Sequence, residues 1–180
     1  MEYYIGVDIG ATNIKIGLLD ANFKILRKKK LYTPIFSNKE ELIEALVKNI
    51  TLLKKTPKCK IKGVGIGLPG LINHEKGLVY RLVNISGWNN VYLKKILESR
   101  IGLPVFIDND VNVMTLAEVR CGRARGAKNV VCITLGTGVG GGIVIEGKLY
   151  RGATFSAGEI GHIPLNEEGP LCNCGGKGCL

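Results

Sequence analysis

A chain of 180 residues with 46% hydrophobic residues and a net charge of +10 is too apolar for a disordered polymer and long enough for one good-sized core, or for one domain and part of another. No basic leader precedes an apolar stretch, and the uncharged run Val130 to Ile145 is glycine-laden and shorter than the roughly 18 residues of a membrane span, so a cytoplasmic protein without a membrane partner is expected. The basic residues are dispersed over 27–30, 54–62 and 120–128. No recognition helix or aromatic platform accompanies them, so they read as solvated faces rather than a nucleic-acid surface, although their field favours anionic nucleotides.

In chain order, Tyr3 to Val7, Ile14 to Leu19 and Phe23 to Leu31 read as three strands joined by short turns. Between the first two lies Asp8-Ile9-Gly10-Ala11-Thr12-Asn13, a glycine-centred turn whose backbone N–H groups can approach an anion closely. Thr12, Asn13 and Lys15 add donors suited to phosphate oxygens. Apolar residues at 42, 43, 46, 47, 50 and 53 predict a helix over 38–53, with Ser37 or Asn38 as its N-cap. Val64 to Ile66 predicts a short strand leading into the turn Gly67-Leu68-Pro69-Gly70. A helix is expected within 90–101, a buried strand over 105–107 and a helix over 110–119. Lys128 to Leu135 opens a new strand pair around Gly136-Thr137-Gly138, a second glycine-rich turn. Two such turns in one chain suggest a nucleotide phosphate tail gripped from both sides, which points to phosphoryl transfer. Gly136, Gly138 and Gly141 also spell a dinucleotide fingerprint, but that motif needs a helix directly after it and Ile143 to Ile145 reads as strand.

A hairpin with a third strand, then alternating helix and strand, then a fresh glycine-turn hairpin suggests a duplicated α/β plan. One nearly complete domain over 1–121 is followed by the start of a second over 122–180, the boundary falling where Gly122 and Gly126 interrupt a basic stretch.

Asp110 stands after a predicted strand and at the start of a helix. A carboxylate there suits a general base that accepts the proton of an attacking hydroxyl. Asp108, Asn109 and Asp110 suit helix capping equally well, and position alone leaves both readings open. Gly158-Glu159-Ile160-Gly161-His162 pairs a carboxylate and an imidazole three residues apart. Downstream come Cys172, Cys174 and Cys179, with glycines at 175, 176 and 178. Three thiolates and the His162 imidazole supply the four ligands of a closed, structural zinc site. Cys59, Cys121 and Cys132 are scattered and read as ordinary thiols of a reducing compartment.

These segments, taken in order, resemble the ROK sugar kinases and repressors. They are 8–15, 65–70, 108–112, 135–142, 158–162 and 172–179. The resemblance implies an actin-like ATPase (ribonuclease H-like) α/β fold and ATP-dependent phosphorylation of a hexose hydroxyl. On the family pattern Asp110 is the base, and Gly70, Asn109, Asp110, Glu159 and His162 meet the sugar. Asp8, Gly10, Ala11, Thr12, Asn13 and Lys15 form the first nucleotide loop, and Gly136, Thr137 and Gly138 the second. Mg²⁺ lies near Asp8, and zinc binds His162, Cys172, Cys174 and Cys179. The histidine is expected to hold metal through one nitrogen and to orient sugar through the other. The stretch from Asn84 to Val91 resembles bacterial glucokinases, making glucose the first acceptor to test. N-acetylmannosamine, N-acetylglucosamine, mannose and fructose remain alternatives, as does a non-catalytic sugar sensor. Repressors of the family usually carry a DNA-binding segment ahead of the Asp8 loop, and only seven residues stand there. Family members run well beyond the last zinc ligand. The chain therefore reads as their N-terminal part, with little activity expected of it alone and a homodimer expected at full length.

Overall fold

Alternation dictates the first two strands. Ile5, Val7 and Ile9 on β1 (Glu2–Ile9) and Ile14, Ile16 and Leu18 on β2 (Asn13–Asp20) are all buried, so each strand turns one face inward. The structure is a computed structural model describing residues 2–82, 85–136, 138–172 and 174–180. It divides into two compact units, Met1–Asp110 and Val111–Leu180.

In the first unit, β1 pairs antiparallel with β2, and β2 with β3 (Ile25–Tyr32). On the other side β1 runs parallel to β4 (Lys60–Leu68), and β4 to β8 (Val105–Asn109), giving the order β3-β2-β1-β4-β8. The edge strand β3 has no buried residue and carries the run Arg27-Lys28-Lys29-Lys30.

Helix α1 (Lys39–Lys54) begins at Asn38, whose side chain accepts the Glu41 N–H at 2.9 Å while the Glu41 carboxylate takes the Ser37 N–H at 2.8 Å. This reciprocal cap satisfies donors that a helix start leaves open. Leu42, Leu46 and Ile50, one turn apart, are fully buried against the sheet core.

The predicted helix over 90–101 is shorter: α2 is Leu93–Ile101. Asn89–Val91 forms β7, which pairs with β6 (Leu78–Arg81), and β6 pairs with β5 (Ile72–Asn73) in a small antiparallel sheet. Backbone pairing with β6 outweighs the helical pattern at those positions. The buried Leu93, Leu97 and Ile101 mark the inward stripe of α2.

The second unit holds α3 (Asp110–Cys121) beyond its first residue, and the meander of β9 (Val130–Leu135), β10 (Val139–Ile145) and β11 (Lys148–Tyr150). Gly140, Gly141 and Gly142 on β10 are packed on both faces. A Cβ on Gly140 would stand 2.6 Å from Val111 Cγ2, one on Gly142 would collide with Thr115 Oγ1, and one on Gly141 would collide with the Gly158 carbonyl. Val111 and Thr115, four apart on α3, thus rest directly on strand backbone. A strand, not a helix, follows the second glycine turn, so the dinucleotide fingerprint has no structural context here. None of the described helices is long and apolar enough to cross a membrane.

Candidate functional site

Three parallel strands end at the same edge of the first sheet. There Asp8 of β1 is the register neighbour of Gly67 on β4, and Gly67 of Asp108 on β8. The carboxyl edge of parallel strands is where α/β sheets receive ligands, because side chains and loops converge there above the ends of the strands. The sequence reading singled out Asp8 and Asp108 separately; their alignment across Gly67 depends on strand register and has no local signal.

The first glycine turn caps this edge. The Gly10 N–H donates to the Asn13 carbonyl at 3.0 Å, closing a tight hairpin in which Ala11 and Thr12 are exposed. Lys15 Nζ lies 3.0 Å from Asp8 Oδ2, and both side chains are more than half exposed. Such a wet ion pair holds its partners loosely, leaving the ammonium able to turn to a phosphate and the carboxylate to a cation. Beneath the turn is a recess of about 10 Å³ lined by Ile9, Gly10, Thr33, Pro69 and Leu82 among others. It has room for about one water at most, so the turn is open to a larger group only from its outer side.

Gly70, Asn109 and Asp110 lie in the same unit. Gly70 has φ of +100° and a Cβ there would stand 2.6 Å from the Arg81 carbonyl oxygen, which restricts the position to glycine. Asn109 Nδ2 donates to the Gly70 carbonyl at 3.3 Å, joining two of the sugar positions expected from the sequence. Asp108 is buried and accepts the Asn109 N–H at 2.8 Å, which fixes the turn from strand to helix. Asp110 is the first residue of α3 and half-buried. The first turn of a helix favours negative charge.

In the second unit, the Gly136 N–H donates to the Gly138 carbonyl at 3.0 Å between the paired Leu135 and Val139. Among the described residues, and apart from their chain neighbours, nothing comes within 4 Å of where a Cβ would stand on Gly136 or Gly138. The fold itself has space for side chains at both positions, so their glycines keep the outer surface of the turn open. Thr137, expected to contribute a hydroxyl, lies outside the described residues.

The four Cys and His side chains expected to bind zinc lie together. His162, Cys172, Cys174 and Cys179 offer ligand atoms that all lie within 4.8 Å of one another. Cys172 Sγ is 3.6 Å from His162 Nδ1, and Cys174 Sγ is 3.7 Å from Cys179 Sγ. A tetrahedral zinc with Zn–S bonds near 2.3 Å has S···S edges of about 3.8 Å, so the spacing and the donor set fit a four-coordinate, closed site. Backbone hydrogen bonds tie the loop: Cys172 N–H to Gly176 O at 2.8 Å, Gly178 N–H to Pro170 O at 2.9 Å and Leu180 N–H to Ile163 O at 3.1 Å. The Cys174 backbone N–H, with the neighbouring thiols, lowers the pKa of the Cys172 thiol to about 7. Burial, with Cys174 beside it, pushes Cys179 up to about 11.

Glu159 precedes and His162 ends a single 3₁₀ turn, Ile160–His162, and their side chains meet at 3.9 Å between Oε2 and Nε2. His162 therefore offers Nδ1 to the cysteines and Nε2 to the Glu159 side. Both side chains are half exposed, so a ligand can reach them.

Comparison with known proteins fits both halves of this description. The ROK family profile matches residues 4–180. The chain is 43% identical over 188 aligned residues to a glucokinase of Halalkalibacterium halodurans, covering 99% of this chain and 55% of that protein. It is 37% identical to a xylose repressor of Caldicellulosiruptor bescii, covering 98% of this chain and 45% of the other. The crystal structure of a ROK family glucokinase from Streptomyces griseus in complex with glucose and AMPPNP superposes with a TM-score of 0.86 at 40% identity, over 98% of this chain and 55% of that one. The chain spans about half the length of the curated relatives it matches. The actin-like α/β fold expected from the motifs is the fold of these neighbours.

Proposed function

We propose that this chain, which belongs to the ROK family, serves ATP-dependent transfer of a γ-phosphate to a hexose hydroxyl, with glucose as the first acceptor. The observation that carries the reading is the shared edge of β1, β4 and β8. It gathers Asp8, the Gly10–Asn13 turn, Gly70, Asn109 and Asp110 at the ends of three parallel strands. Likeness to a glucokinase in complex with glucose and AMPPNP supports it.

In this reading Asp110 takes the proton from the attacking sugar hydroxyl, and Asn109 and the Gly70 backbone hold the sugar beside it. Glu159 and the Nε2 side of His162 orient further sugar hydroxyls. The N–H groups of the first turn, with Lys15, Thr12 and Asn13, receive phosphate oxygens, and Gly136, Thr137 and Gly138 receive others. Asp8 would hold a magnesium ion, which neutralises phosphate charge when bound. His162, Cys172, Cys174 and Cys179 would hold zinc, which with four protein ligands has no open position and serves to fix the Glu159–His162 segment. The domain limits 1–121 and 122–180, a cytoplasmic setting and a homodimer at full length belong to the same proposal.

The test is a coupled ADP-release assay on the product of the whole reading frame, with glucose, mannose, fructose, N-acetylmannosamine and N-acetylglucosamine. Turnover is expected to be highest with glucose and weak for the 180-residue chain alone. Asp110→Asn is expected to lower kcat by on the order of 10²–10⁴-fold without abolishing hexose binding. The xylose-repressor relative supports a second reading, a sugar sensor. Hexose binding without ADP release in wild type, unchanged in Asp110→Asn, would favour that reading and sink the kinase.

A further inference from the structure

One buried side chain under the first glycine turn was not expected from any motif. Thr33 opens a single 3₁₀ turn, Thr33–Ile35, directly after β3, and it is 3% exposed where the preceding Tyr32 is 55% exposed. Its Oγ1 donates to the Gly10 carbonyl at 2.7 Å. Its backbone N–H donates to the Thr12 carbonyl at 3.0 Å. One residue thus takes two carbonyls of a four-residue turn, while the Gly10 N–H is already held by Asn13.

The consequence follows from peptide geometry. In a trans peptide the C=O and the N–H of one unit point in opposite directions, and the described residues contain no cis bond. With the carbonyls of Gly10 and Thr12 drawn toward Thr33, the N–H groups of Ala11 and Asn13 are turned away from it. Without that hold, a short glycine turn can rotate its peptide units and present carbonyl oxygens, which repel an anion. We propose that Thr33 is a positioning residue for polyphosphate: its buried hydroxyl fixes the orientation of the Gly10–Ala11 peptide so that the turn meets a nucleoside triphosphate with N–H groups rather than carbonyls. This rests on the nucleotide role assigned above to the Gly10–Asn13 turn.

The hydroxyl is the active part of the assignment, and valine removes it at nearly constant shape. Thr33→Val leaves the Thr33 N–H bond in place and strips only the bond to Gly10, whereas Thr33→Ser keeps both. The experiment is an amide ¹⁵N–¹H titration of the product of the whole reading frame with magnesium AMPPNP, following residues 11–13, with thermal melts of each variant. In the wild type those amides are expected to shift on titration. Thr33→Val is expected to bind about tenfold more weakly, the scale of one lost hydrogen bond, and to show displaced Ala11 and Asn13 amides before any nucleotide is added. Thr33→Ser is expected to restore both the affinity and the starting spectrum, even where its melt is lower than wild type. Equal affinity in Thr33→Val and wild type would overturn the role of Thr33 and leave the nucleotide site standing. Failure of Thr33→Ser to rescue a weakened Thr33→Val would likewise overturn it. Absence of any wild-type shift at residues 11–13 would remove the nucleotide reading itself, and this inference with it.

Discussion

Each of the two compact units is stabilised internally by a different means. Every buried hydrophobic residue among those described lies in 1–110 except Val144. The first unit therefore has an oily core between its sheet and α1 and α2. In the second, the apolar residues Val131, Ile133 and Leu135 of β9 are 63%, 57% and 82% exposed, and the unit is tied by glycine close packing and by a cluster of one histidine and three cysteines. A segment of that size rarely gains enough from apolar burial alone and leans on a staple. The first unit is therefore vulnerable to cavities, and the second to disruption of its Cys-His cluster.

Metal removal is expected to have the largest effect. Structural zinc contributes on the order of 10 kcal/mol in small metal-dependent domains, comparable to the whole stability of a typical domain. Stripping the metal with a chelator, or Cys174→Ser, is expected to abolish amide-exchange protection across 160–180 and weaken it over the rest of 111–180, while leaving 2–110 protected. Undiminished protection of 160–180 in metal-free protein would end the staple account.

A paired substitution sharpens the contrast at the next scale. Leu46→Ala, at a fully buried position of α1, is expected to cost the first unit about 2–5 kcal/mol in denaturant unfolding. Ile133→Thr, on the exposed face of β9, should cost the second unit well under 1 kcal/mol. Equal losses would mean that the exposed face of β9 is covered in solution.

The sequence made the repetitive and short-range features legible. The first hairpin, α1 with its Asn38 cap, both glycine turns and the Cys-His quartet follow from patterns of a few residues, and the structure assembles each of them. The small sheet of β5, β6 and β7 was not legible, because strands of two to four residues carry no usable period, and its last strand occupies the positions where a helix was expected to begin. The alignment of Asp8, Gly67 and Asp108 and the hold of Thr33 on Gly10 are set by register between distant segments. A threonine ahead of a proline carries no sign of that role.

Smaller effects probe the first unit's surface. Asn38→Ala removes the α1 cap and is expected to cost about 1 kcal/mol by urea denaturation. Glu44→Gln should change least. Arg100 on α2 grips the Glu44 carboxylate through both terminal nitrogens and holds its pKa below the ordinary carboxylate value. A depressed acid lends stability above its unfolded pKa and loses it as pH falls through the folded one. The melting difference between wild type and Glu44→Gln is therefore expected at neutral pH and low salt, and should vanish in strong acid or in molar salt.

The edge strand β3 explains why a basic chain need not be a nucleic-acid binder. Its four consecutive cations sit on the open rim of a five-stranded sheet, where a bare backbone ladder would otherwise recruit another molecule's strand. Like charges approaching in register repel, so the run acts as a guard against fibril-like stacking. Neutralising it would turn a quiet border into a template for self-association, with the fold beneath left intact.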